Sequence, residues 1–159
     1  MGINSRAETP TSTDPHAVRE PVHTAQAALQ GLRNARAALR GQYRAALEAT
    51  DTARLLALRD RAAVLDVEIQ VAAVQAARAE LAALDAEETA IGAAVSQAIA
   101  AERDQQRGGG RGRTDEHDGA ATLAARRVLE LQQQRGGITS RKHEAHARLQ
   151  AALAAAPGF

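Results

Sequence analysis

The chain has 159 residues, a formal net charge of +1 and no cysteine, which leaves room for one modest core and excludes disulfides and thiolate metal sites. Forty residues are alanine, whereas Leu, Ile, Val and Phe together number 29, and Tyr43 and Phe159 are the only aromatics. So few large side chains cannot fill a compact globule, but closely packed helices can be built on alanine and a leucine stripe.

The expected fold is therefore all-α: an elongated antiparallel helical hairpin, or three-arm coiled-coil-like bundle, built on one long central helix. No apolar run approaches the length of a membrane span, and no signal peptide is visible. Met1-Gly2 is followed by Arg6 where a myristoylation signal needs Ser or Thr. A cytoplasmic location is the default expectation, or a virion-associated one if the chain is phage-encoded, with no membrane partner. Arginine outnumbers lysine nineteen to one, with Lys142 the single lysine.

Residues 1–21 hold three of the four prolines (Pro10, Pro15 and Pro21) and are expected to be a disordered tail. From Val22 to Ala49, Leu29, Leu32, Leu39, Tyr43 and Ala46 or Leu47 recur at spacings of three and four, so 22–49 reads as the first helical arm. Arg33, Arg36, Arg40 and Arg44 make one flank basic, and Arg36 falls inside the stripe, where it must snorkel outward. The stripe fails at Thr50-Asp51-Thr52, and either Thr50 or Asp51 would cap a new helix. A tight turn is expected there, making 22–107 a hairpin, although no glycine or proline enforces the break.

Residues 52–107 contain no proline, one glycine (Gly92) and mostly strong helix formers. Leu55, Leu58, Ala62, Leu65, Ile69 and Ala72 form one stripe; Val64, Val67, Val71, Val74 and Leu81 form a second, which implies contacts on two sides. The run Leu65 to Val71 also alternates as a strand would, but its alanine-rich flanks favour helix. Between Ala79 and Glu102 stand Glu80, Asp85, Glu87, Glu88 and Glu102, with no base. Four glycines within residues 108–112 then end the helix, and 108–119 reads as a Gly/Arg-rich loop.

Residues 120–156 read as a basic C-terminal arm. It starts with Leu123, Val128 and Leu131, breaks at Gly136-Gly137, resumes behind Thr139 or Ser140 as a cap, and carries Leu149 and Leu153. Six bases between Ala120 and Gln150 face only Glu130 and Glu144. The simplest arrangement lays the first arm on the first half of the long helix and returns this arm along its acidic second half.

No motif identifies a family or a catalytic site. His143-Glu144-Ala145-His146 is one residue short of the zincin spacing and lacks a third ligand. Gly108 to Gly112 lacks the strand and the Gly-Lys-Ser/Thr of a phosphate loop. None of Ser5, Ser12, Ser96 and Ser140 sits in a nucleophile frame, and the adjacent Glu87 and Glu88 point apart on a helix. Neither an enzyme, nor a cofactor, nor a small-molecule substrate is expected. A non-catalytic helical assembly protein of phage or bacterial type is, acting as a homo-oligomer or on a protein partner through Arg126, Arg127, Arg141 and Lys142. The alternative is nucleic-acid binding by the basic arms together with Arg107, Arg111 and Arg113, without an aromatic platform for bases.

Overall fold

The computed structural model describes residues 15–108 and 115–155. Three helices make up almost all of them: α1 (Pro15–Glu48), α2 (Thr52–Gly108) and α3 (Asp115–Ala154), and no strand occurs among the described residues. At 57 residues α2 extends about 85 Å, and none of the described helices is long and apolar enough to cross a membrane.

α1 opens at Pro15 rather than at Val22 and runs through Pro21, so the end of the tail expected over 1–21 is helix, and the rest of that tail, 1–14, lies outside the described residues. Pro21 removes the bond to the Ala17 carbonyl, which argues locally for a later start. Tertiary contact reverses that preference: Val18 is half-buried and Arg19 reaches Glu87 of α2 at 3.1 Å.

The turn after α1 is specific. Asp51 N–H donates to the Ala46 carbonyl and Thr50 N–H to that of Leu47, both at 3.0 Å, which is the Schellman pattern. Thr50 takes the left-handed position, with φ of 51°, although its branched Cβ disfavours it. Asp51 then caps α2, its Oδ1 accepting from Arg54 N–H at 3.0 Å. Two helix ends are thus closed within four residues.

α3 begins at Asp115 instead of Ala120 and continues without interruption across Gly136 and Gly137. Thr139 does not cap a new helix; its hydroxyl donates back to the Arg135 carbonyl at 3.2 Å, inside one continuous helix. The reason lies one residue on. Ile138 is 1% exposed, the most deeply buried large side chain, and it packs with Leu84 and Ala145 while Leu81 and Ile91 close over them. Anchors on both sides of the glycines outweigh their propensity cost.

Ion pairs give the directions. Arg36 meets Asp66 and Arg19 meets Glu87, so α1 runs antiparallel to α2; Arg141 meets Glu87 and Arg148 meets Glu80, so α3 does too. α1 and α3 both pack on α2, and their backbones do not approach each other. They flank α2 together from Gln70, which reaches Ala152 of α3, to Glu87, whose two oxygens accept Arg19 from α1 and Arg141 from α3.

The core is thin. Among the described residues nine are buried, and five of them are alanine (Ala46, Ala72, Ala76, Ala77 and Ala145), which lets helix backbones approach closely. The strand-like run resolves as two helix faces: Leu65 is buried and Ile69 half-buried, while Val67 and Val71 stay exposed. Tyr43, Leu47, Leu123 and Leu153 are also exposed; Ala46 and Ala152 take the inward positions instead.

Candidate interaction surfaces

Burial on α1 falls on Val18, Val22, Ala25, Leu29, Leu32, Arg36, Leu39 and Ala46, at alternating steps of four and three with the exposed Tyr43 in the register between the last two. On α3 it falls on Val128, Leu131, Ile138, Lys142, Ala145, Leu149 and Ala152, with the exposed Arg135 completing the register. Each stripe encloses one half-buried base, and each base is answered from α2. Arg36 donates through Nε and a terminal nitrogen to the two oxygens of Asp66, at 2.7 and 3.1 Å. Lys142, whose side chain is 22% exposed, lies between Asp85 and Glu88 and bonds both.

These pairs polarise one another. The hydrogen bond from Arg36 holds the Asp66 carboxyl below its ordinary range, and Asp66 raises the guanidinium in return. The Lys142 bond, then its charge, with a smaller contribution from Arg135, holds Glu88 low. Asp85 first and Glu88 second raise Lys142. Around them Arg135 meets Glu88 at 3.4 Å, Arg141 meets Glu87 at 3.2 Å and Arg148 meets Glu80 at 2.7 Å. Exposed pairs contribute only a few tenths of a kcal/mol each, but a base inside an apolar stripe is left uncompensated if the helices slide. The seam therefore sets register more than depth of stability.

The four bases expected to dock a partner do not form one set. Arg141 and Lys142 are engaged with α2, and Arg127 pairs with Glu130 at 3.3 Å within α3. Arg126 is exposed and outside these ion pairs. Arg107 lies on the last turn of α2, while Arg111 and Arg113 lie outside the described residues. The role of Lys142 within the stripe was visible in the spacing from Ile138 to Ala145, but the expected break at Gly136 hid that register.

Two clefts remain. A groove of about 1010 Å³ separates α1 from α3 over an alanine-rich floor on α2, with Arg33, Asp66, Glu80 and Arg148 on its rim. Gln70 crosses part of it to donate to the Ala152 carbonyl at 3.1 Å. A hollow of about 340 Å³ near the hairpin end gathers Arg36, Arg40 and Arg59 around Tyr43, with Leu39, Leu58 and Ala62. His143 and His146 are exposed, the latter bonded to the Lys142 carbonyl, and no group of three metal-ligating side chains occurs among the described residues. No family model matches this chain, and comparisons with curated proteins and with solved structures find none similar to it.

Proposed function

We propose that this chain is a non-catalytic helical assembly protein whose working surfaces are coiled-coil seams, of the kind that serves as a bacterial or phage structural accessory. The observation that carries this reading is the heptad recurrence of burial on α1 and α3, each stripe holding one base opposite α2 carboxylates. A sustained three-four alternation is the period of left-handed supercoiling, and a polar group inside such a stripe is the usual device for choosing register and partner. The three-arm, coiled-coil-like arrangement on one long spine then serves as a spacer with docking faces. Either further copies or a protein partner would take those faces, and a cytoplasmic or virion-associated setting accords with this role.

Light scattering in line with size exclusion tests it, at low salt, with and without nuclease treatment. Concentration must be read by refractive index, since one tyrosine absorbs little. An oligomer free of nucleic acid and indifferent to nuclease is the expected result. A species that loses mass and nucleic-acid absorbance on digestion would overturn it.

That second outcome corresponds to the alternative, nucleic-acid contact, which one observation moves to an unexpected place. The hollow at the hairpin end puts Arg40 and Arg59 beside the only aromatic among the described residues, with Arg36 held to Asp66, so it offers a stacking surface with two cations beside it. Binding there would weaken steeply with salt and be lost in Tyr43→Ala.

A further inference from the structure

The second stripe of α2 should, by its pattern, have a helix on it along its whole length, yet only its Leu81 end is packed against the α3 cluster around Ile138, and its first three valines are left open. Val64, Val67 and Val71 are 48%, 48% and 52% exposed. With Asp60, Val74 and Arg78 they continue the same alternation of four and three along one face, Val74 being half-buried and the two ends exposed. Asp60 and Arg78 take no part in any ion pair among the described residues. Four consecutive heptad positions are thus valine, bounded by an acid at one end and a base at the other.

We propose that this face binds a second copy of the same chain, α2 against α2, antiparallel about a two-fold axis at the level of residue 69. The proposal rests on the assembly reading above and names its partner and register. The charges select the occupant. Asp60 and Arg78 lie nine residues on either side of that level, so one rotation sets each Asp60 opposite the partner's Arg78, and the two resulting pairs lie about 27 Å from each other along the helices. The same rotation sets Val67 opposite Val71 and Val64 opposite Val74, closing an all-valine centre. A parallel pairing would instead oppose Asp60 to Asp60 and Arg78 to Arg78, which costs rather than gains. Isologous contact of a patch with itself is how two-fold dimers form, and this patch complements itself in charge and in the register of its valines. The pairing makes one like-charge approach, between the two Glu68 carboxylates flanking the axis, so Glu68→Gln is expected to tighten it.

The test uses the full chain. Asp60→Arg alone and Arg78→Asp alone should each weaken dimerisation by at least about tenfold, read by sedimentation equilibrium. Mixing these two variants should restore it, because both cross-pairs become complementary; the double variant should restore it alone. Far-UV circular dichroism checks that helicity is unchanged in each. Because the chain has no native cysteine, Val67→Cys and Val71→Cys give an independent geometric readout. A mixture should form the mixed disulfide, whereas either variant alone should not, its own thiols being offset by about 6 Å along the helices. Cross-linking of Val67→Cys with itself would overturn the antiparallel register. An oligomer indifferent to both charge reversals, with no mixed disulfide, would overturn this interface while leaving the assembly reading in place. A wild-type monomer at high concentration would overturn the interface and self-assembly together.

Discussion

Replacing Gly136 and Gly137 together by alanine should stabilise the protein. Both glycines are exposed within α3, both have helical neighbours on either side, and a Cβ built on either meets nothing within 4 Å. Alanine in a helix interior is favoured over glycine by about 1 kcal/mol, and slightly less where part of the gain comes from the unfolded chain. The two new methyl groups touch nothing shared, so their effects should add, to roughly 1–2 kcal/mol. For a chain of this size that corresponds to a rise in Tm of about 3–7 °C. Thermal unfolding followed by far-UV circular dichroism, with helicity compared at low temperature, measures it. A lowered Tm would mean that one glycine occupies a left-handed position that alanine cannot take, and the continuous α3 would be refuted.

Truncating the anchor should have the opposite sign: Ile138→Ala removes a 1%-exposed side chain from the α2–α3 seam and should cost about 2–5 kcal/mol, seen as a lower denaturant midpoint. At the hairpin turn, Thr50→Gly should stabilise by on the order of 0.5–1 kcal/mol by relieving the positive φ, and Asp51→Ala should destabilise by about 1 kcal/mol through loss of the cap on Arg54. Equal effects from both substitutions would sink that account of the turn. The pH response follows from the seam. Asp66 and Glu88 have lowered pKa values, so their contribution is present above their unfolded values and lost as pH falls through the folded ones. Lys142 is raised, so its contribution is present below its unfolded value and lost only as strong base carries pH through its folded one. Tm should therefore be level near neutrality and fall in acid, and added salt should shrink the fall because the pairs are half-exposed. A profile independent of pH at low salt would contradict the ion-pair assignments.

Much of this architecture was legible because helix formation is local. Propensity and period placed a long helix over 52–107, put Leu55, Leu58, Leu65 and Ile69 on one face, and located the turn where the stripe failed at Thr50-Asp51. The acidic run from Glu80 to Glu88 likewise announced basic partners. Other features were hidden because they depend on what a residue meets across space. Pro21 and the pair Gly136-Gly137 are helix breakers by local rule, and each is helical here because neighbours such as Arg19 and Ile138 find partners on α2. No local period chooses between Ala152 and Leu153, or between Ala46 and Leu47; the angle at which each arm lies on α2 does.

Helix, charge polarity and the existence of two apolar stripes on α2 follow from composition and local period alone. Which stripe is covered, that Lys142 sits in the α3 seam with Arg141 reaching Glu87 at its flank, and that Val64, Val67 and Val71 remain open all depend on how the arms lie on α2. The physical reason is the size of the energies. Local preferences differ by about 1 kcal/mol per residue, whereas docking one buried side chain contributes about 1.5–3 kcal/mol, so long-range packing decides wherever the two disagree.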